Sequence, residues 1–144
     1  MPPKNHNELL NSMGDGEILA LDIGDKRVGV ARAHTIAKMP EPLDEIINDT
    51  NFMDNLHGLI NKYKPLLLVI GLPHNLSGEE TAQTTKIRTF SENIRNTTGL
   101  GIVFIDESLT SVDADKFLRD NKNKKYSQDS VAACYILTEF FNQC

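Results

Sequence analysis

The chain has 144 residues, of which 40% are hydrophobic and 24% charged, and this size and composition predict one globular domain that needs no disulfide or structural metal. Its 15 basic and 20 acidic residues give a net charge of −5, which argues against a protein that coats nucleic acid non-specifically but not against local binding. The two cysteines, Cys134 and Cys144, do not suggest a disulfide framework or a Cys-based metal site, and no apolar run reaches the ~18 residues of a membrane span. We therefore expect a cytoplasmic protein without a membrane-spanning segment.

The first half of the chain is predicted to begin with a flexible polar tail and to continue into a strand pair. In chain order we expect a tail over 1–16 with a short helical turn around 8–13, strands over 17–23 and 27–32, an extended segment punctuated by Pro40 and Pro42, and a helix over 51–63. The turn of residues 24–26 between the two strands is short enough for a hairpin.

The second half alternates buried strands with helices. We expect a strand in "LLLVIG" (66–71), a helix over 79–98 with a thin apolar stripe, a strand in "IVFID" (102–106), a helix over 111–120, and a last helix over 128–141 that is apolar nearly all round. Uncharged runs such as "LLLVIG" are typical of parallel strands that are covered on both faces. The order of elements predicts an α/β fold with a mixed sheet.

Three carboxylates stand at places where α/β proteins build sites. Asp22 interrupts the apolar run "LALDIG", Glu107 follows the last predicted strand, and Asp129 opens the last predicted helix. Sites form outside the carboxyl ends of strands, and acidic groups that converge there repel one another unless a cation lies between them. Oxygen ligands without His or Cys suit Mg²⁺ or Mn²⁺. Two simpler explanations stay open: Asp129 favours a helix start capped by Ser127, and Glu107 forms a surface ion pair.

Four ordered motifs carry a family resemblance: "LALDIGDKRVGVA", "VIGLPHNLSGEET", "IDESLTSVDA" and "QDSVAACYIL". Together they resemble the YqgF family, a ribonuclease-H-like group of Holliday junction resolvases and of nucleases that mature the precursor of small-subunit ribosomal RNA. The resemblance covers residues 17–142. It implies a five-stranded mixed sheet with helices on both faces, in a single nuclease domain over 17–144.

The resemblance also implies functional residues. The family's acidic residues map onto Asp22, Glu107 and Asp129, the same three that the pattern of strands and helices singles out, and they are the expected catalytic residues and ligands of Mg²⁺ or Mn²⁺. The first motif supplies Lys26 and Arg27 as expected substrate-binding residues, and the middle motif supplies Asn75.

Two positions depart from the family pattern. Asp25 stands where the family usually has Thr, which adds a negative charge beside the expected site, and Ser108 stands where the family usually has Arg. Neither departure removes an expected metal ligand.

The function that these features favour is a metal-dependent endonuclease acting on structured RNA or branched DNA, by maturing the 5′ end of the small-subunit ribosomal RNA precursor, by resolving Holliday junctions, or both. The alternative that Asp25 and Ser108 keep open is a non-catalytic module of the same fold that binds nucleic acid or the ribosome. An actin-like phosphotransferase, suggested by the shared D-x-G loop, needs a two-lobed cleft for which 144 residues are too few. The oligomeric state, including a homodimer, is not readable from the sequence.

Overall fold

A computed structural model describes residues 6–73, 78–106 and 127–143 of the chain. In chain order, the elements are α1 (His6–Met13), β1 (Glu17–Ile23), β2 (Arg27–His34), β3 (Glu41–Ile47), α2 (Phe52–Tyr63), β4 (Leu68–Leu72), α3 (Ala82–Thr98), β5 (Ile102–Asp106) and α4 (Gln128–Asn142). The predicted helix over 111–120 and the substrate-binding assignment of Asn75 lie outside the described residues. No helix in the described ranges is long and apolar enough to cross a membrane.

The five strands form one mixed sheet in the order β3-β2-β1-β4-β5. β1 pairs with β2 in an antiparallel hairpin, β2 pairs antiparallel with β3, and β1, β4 and β5 run parallel. The hairpin and the mixed sheet predicted from the pattern, and the five strands that the family resemblance implies, are confirmed. The carboxyl ends of β1, β4 and β5 therefore meet at the same edge of the sheet, where sites of α/β proteins lie.

Helices cover both faces of the sheet, as the family resemblance implied. On one face α2 and α3 contribute Phe52, Leu56, Ile87 and Ile94 to a core with Leu19, Leu21 and Ile70. On the other face α4 packs Ala133, Ile136, Leu137 and Phe140 against Ile18, Ala20 and Val69. All five residues of β4 are buried, which explains the uncharged run that predicted a doubly covered strand.

Within the predicted tail, the described residues form a longer helix than the single turn expected there. Residues His6–Met13 form a helix of 8 residues, and Leu10, which is 7% exposed, packs into the core on the α4 face. Leu9 and Met13 pack beside Leu10, and together these apolar side chains stabilise a helix that is too short to persist alone in water. The division into a tail and a domain stays a prediction.

Candidate active site

Asp22 lies on β1 and faces α4. Side chains alternate along a strand, and its neighbours Leu21 and Ile23 belong to the core beneath α2 and α3, whereas Ala20 belongs to the core beneath α4. Asp22 is therefore on the α4 face, partly buried, one residue beyond the point where Leu21 pairs with Ile70 of β4. A carboxylate at this depth is costly unless a partner or a cation compensates it.

The start of α4 rests directly on the strand beside Asp22. Asp22 pairs with Gly29 across the β1–β2 ladder. A Cβ atom at Gly29 would lie 1.9 Å from the carbonyl oxygen of Asp129 and 2.7 Å from the backbone nitrogen of Ser130. Glycine is thus required at this position, because any side chain there would push the helix away from the sheet.

Two hydrogen bonds fix the same helix start. The backbone N–H of Val30 donates to Ser130 Oγ at 3.2 Å in a buried contact, and the N–H of Ser130 donates to Ser127 Oγ at 3.2 Å. Ser127 is the N-cap residue, as predicted. Capping explains why a helix begins here, but the close contact with Gly29 determines that Asp129, in the first turn of this helix, lies near Asp22.

The charge of one carboxylate acts on the other. The pKa of Asp22 is raised from 3.8 to about 6, first by burial and second by the negative charge of Asp129. Two carboxylates from separate segments are therefore held in electrostatic contact, which is the arrangement that a divalent cation with oxygen ligands relieves. The donor set fits Mg²⁺ or Mn²⁺ and contains no atom that zinc would prefer.

The third predicted ligand, Glu107, lies outside the described residues. It follows Asp106, the last residue of β5, which pairs with Leu72 at the carboxyl edge of the parallel strands. Within the described ranges, no group of three His, Cys, Asp or Glu side chains is placed to hold a metal ion. The structure thus brings together two of the three predicted acids, and the role of Glu107 stays a prediction.

The turn that carries Lys26 and Arg27 is held by a residue that the sequence analysis did not identify. Gly24 N–H donates to Arg27 O at 2.9 Å and closes the hairpin. Asn48, just after β3, donates its backbone N–H to Lys26 O at 2.9 Å and its side-chain amide to Gly24 O at 2.8 Å. Nothing in the local sequence marks Asn48, since its contacts are made more than twenty residues away along the chain.

The side chains of Lys26 and Arg27 are exposed on this turn. Arg27 Nε lies 3.8 Å from Glu45 Oε1, and the Arg27 side chain remains 59% exposed, so its guanidinium is available to an incoming phosphate. Asp25 between Gly24 and Lys26 is also exposed, and its Oδ1 lies 3.2 Å from Lys86 Nζ on α3. The extra acid that departs from the family pattern therefore has a cation beside it. The other departure, Ser108, lies outside the described residues.

A sequence model of a known family matches nearly the whole chain. The family is described as RuvX, Holliday junction resolvase, and the match covers residues 16–143. A protein of Sulfurihydrogenibium sp. named as a candidate pre-16S rRNA nuclease is 40% identical over 130 residues, covering 88% of this chain and 90% of that protein. A relative of the same name from Lactococcus lactis subsp. cremoris is 34% identical over 133 residues, covering 87% and 93% of the two chains.

Two solved structures share the fold. T. thermophilus RuvC in complex with a Holliday junction substrate superposes with a TM-score of 0.56 at 9% identity, covering 89% of this chain and 95% of that one. Fowlpox virus resolvase in complex with Holliday junction DNA gives a TM-score of 0.50 at 15% identity, with coverages of 88% and 95%. At these identities the likeness concerns the fold, and it confirms the predicted ribonuclease-H-like architecture.

Proposed function

The chain belongs to the YqgF family, the RuvX group of Holliday junction resolvases, and on this premise we propose that it is a divalent-metal-dependent endonuclease that hydrolyses phosphodiester bonds in structured nucleic acid. The observation that carries the proposal is that the backbone of Asp129 contacts Gly29, the residue opposite Asp22 at the carboxyl edge of the sheet, so that the charge of Asp129 acts on Asp22. A buried acid whose pKa is raised by a second acid is a characteristic of functional sites.

The substrate that we propose first is the precursor of small-subunit ribosomal RNA, cut at its 5′ end. Relatives that are 34–40% identical over most of their length bear the name of pre-16S rRNA nucleases. Branched DNA is the second proposed substrate, because the family description names Holliday junction resolution. We also propose that the protein works in the cytoplasm, where either substrate would bring phosphodiester groups to the edge of the sheet.

The chain's own residues hold and orient the reactants. Asp22, Asp129 and Glu107 would hold Mg²⁺ or Mn²⁺, which when bound activates the attacking water and neutralises charge on the phosphate. Gly29 and the cap of α4 fix two of these carboxylates before substrate arrives, so little reorganisation is needed on binding. Lys26 and Arg27, on a turn clamped by Asn48, would contact backbone phosphates, and Asn75 would contact the substrate from the middle motif.

Cleavage of defined substrates tests this proposal. We would incubate the protein with a labelled 5′ leader fragment of the ribosomal RNA precursor, a four-way DNA junction and a plain duplex, with Mg²⁺, Mn²⁺ or EDTA. We expect cleavage that needs the metal and is lost in Asp22→Asn and in Asp129→Asn. Asp44→Asn is the matched control, because Asp44 is an exposed acid on the edge strand β3. Cleavage that persists in both site variants would contradict the assignment.

A non-catalytic role is the second candidate, and it rests on the replacement of the family's usual Thr and Arg by Asp25 and Ser108. It predicts that the wild-type chain binds the same RNA or junction but leaves it intact with every metal. Binding without cleavage would therefore favour this candidate over the nuclease.

A further inference from the structure

A cleft lies on the face of the sheet opposite Asp22, between the β1–β2 turn and α3. It measures about 560 Å³, within the range of roughly 300–1,000 Å³ that is usual for sites of small organic groups. Its walls combine an apolar floor with amide and charged side chains: Ile23, Ile87, Phe90, Asn48, Gln83, Asn93, Asp25 and Lys86. The acids Asp22 and Asp129 lie on the other face of the sheet, and the cleft meets the site described above at the β1–β2 turn, at Asn48 and at Lys86.

Besides Asp25, Lys86 and Thr89, three polar side chains that line this cleft carry the same chemical group. They are the primary amides of Asn48, Gln83 and Asn93, each with a donor and an acceptor side by side, and the Asn48 amide already donates to Gly24 O. Among the described residues, the side chains of Gln83 and Asn93 make no hydrogen bond, and both are exposed on α3. Amide groups that are exposed and make no hydrogen bond can bind a ligand whose edge presents hydrogen-bond donors and acceptors in alternation.

The apolar floor suits a flat ring. The ring of Phe90 is half-buried and is held by the ring of Phe52, at 5.1 Å between centroids with a 49° tilt. Ile23 and Ile87 are buried beside it, and together the three side chains give a fixed apolar surface. Unpaired bases are commonly bound by proteins between such an aromatic or apolar surface and groups that hydrogen-bond their edges.

The rim of the cleft connects it to the candidate active site. One wall is Gly24 and Asp25, which directly follow the strand that carries Asp22, and the Asp25–Lys86 ion pair joins this turn to α3. A strand whose phosphate contacts Lys26 or Arg27 thus passes the mouth of the cleft. We infer that the cleft receives a single unpaired nucleobase of the nucleic-acid substrate, with adenine preferred, because Asn and Gln amides pair in bidentate fashion with its N6 and N7 atoms. This inference rests on the proposed function for the identity of the ligand.

The test is a binding experiment that does not depend on cleavage. Two labelled RNA hairpins, identical except that one carries a single bulged adenosine, would be titrated with the full chain in EDTA. We expect the bulged hairpin to bind about 5- to 100-fold more tightly, as a good amide–base pair implies, and a bulged uridine to bind less well than adenosine. Equal binding of the paired and bulged hairpins, or binding of neither, overturns the inference.

A matched pair of variants locates the effect. Asn93→Ala removes an amide that lines the cleft, and Asn96→Ala removes one that is exposed on the same helix but does not line it. We expect Asn93→Ala to abolish the preference for the bulge and Asn96→Ala to retain it, with both variants as stable as wild type. Equal behaviour of the two variants overturns the cleft assignment.

The outcomes also separate this inference from the proposed nuclease activity. If the wild-type chain selects the bulged hairpin through Asn93 but cuts no substrate, the cleft inference stands and the nuclease proposal is contradicted. If the chain cuts with metal while both variants bind the hairpins alike, the nuclease proposal stands and the cleft inference is contradicted.

Discussion

Gly29 and Asp129, one hundred residues apart along the chain, are in backbone contact: a Cβ atom on Gly29 would overlap the carbonyl oxygen of Asp129 at 1.9 Å. The contact lies opposite Asp22 in the β1–β2 ladder, so a single glycine determines how closely the two acids approach. Backbone cannot yield in the way that the end of a flexible side chain can. The glycine is therefore a requirement of the site as well as of the packing of α4 on β2.

The first prediction follows from this contact. Gly29→Ala should destabilise the fold by about 1–3 kcal/mol or more, since an added methyl group in a closed contact forces the backbone to shift. It should also abolish metal-dependent cleavage under conditions where the variant is still folded, because α4 and Asp129 must move away from Asp22. Urea unfolding followed by circular dichroism measures the first effect. A cleavage assay at urea concentrations below the unfolding transition of the variant measures the second.

Gly58 offers a matched control for this prediction. It lies in the interior of α2, is exposed, and a Cβ atom there would meet nothing within 4 Å. Gly58→Ala should stabilise the protein by about 0.4–1 kcal/mol through helix propensity and the lower entropy of the unfolded chain. If Gly29→Ala behaved like Gly58→Ala, the contact between β2 and α4 would not exist as described.

The second prediction concerns pH. Burial and the charge of Asp129 raise the pKa of Asp22 to about 6 from 3.8, so between these values the folded state holds more protons than the unfolded state. The free energy of unfolding should therefore fall as pH rises from about 4 to 7, by on the order of 2–3 kcal/mol from this group, when no divalent ion is present. Urea midpoints measured in EDTA across this range test the sign.

Variants identify the source of that pH dependence. Asp22→Asn should remove it and should be more stable than wild type at pH 7, since an amide carries no charge to bury. Asp129→Asn should reduce it only in part, because burial is the larger cause of the raised pKa of Asp22. Asp44→Asn, on the exposed edge of the sheet, should leave the dependence unchanged. The placement of Asp22 would be contradicted if the free energy of unfolding of the wild type rose over pH 4–7 and that of all three variants rose by the same amount.

The third prediction concerns metal binding without substrate. A divalent ion that binds the folded state alone stabilises it by RT ln(1 + [L]/Kd), or about 2.7 kcal/mol at a hundredfold excess over Kd. Mg²⁺ or Mn²⁺ should therefore raise the Tm of wild type and of Asp44→Asn at pH 7, but not that of Asp22→Asn. A monovalent salt of equal ionic strength distinguishes site binding from general screening. An equal rise in Tm for all three proteins would place the metal elsewhere.

The sequence allowed much of the sheet to be predicted because its signals are local. An uncharged run marks β4 and the first four residues of β5, and Asp22 is conspicuous because it interrupts an apolar run. The expectation that β5 is buried was wrong for most of its residues, because β5 is the edge strand of the sheet and only Ile105 in it is buried. Periodicity located α2 and α4 within one or two residues of their observed ends. The amino-terminal helix was underestimated, because its stability comes from the packing of Leu9, Leu10 and Met13 on the core and not from its own polar sequence.

The remaining parts of the site depend on contacts between distant residues. Asp129 was identified as an acid at a helix start, but its proximity to Asp22 requires Gly29, whose role is visible only once α4 is packed on β2. Likewise the clamp by Asn48 and the ion pair of Lys86 with Asp25 join segments that are 24 and 61 residues apart. No local pattern encodes such pairs in a single sequence.

The last prediction revises what the departure at Asp25 does. From the sequence, Asp25 adds a negative charge that repels substrate, but in the structure it lies 3.2 Å from Lys86 Nζ at the rim of the cleft. Asp25→Thr should therefore act mainly by releasing Lys86 to contact a phosphate. Binding of nucleic acid should tighten, and the slope of log K against log salt should steepen by roughly 0.7–0.9, the value of one added contact. Since both side chains are largely exposed, the variant's stability should change little.

Lys86→Ala in the Asp25→Thr background should return the slope to its wild-type value, whereas Asp44→Thr should not alter it. If Asp25→Thr tightened binding equally with and without Lys86, simple removal of a repulsive charge would explain the effect and the ion pair would have no part in it.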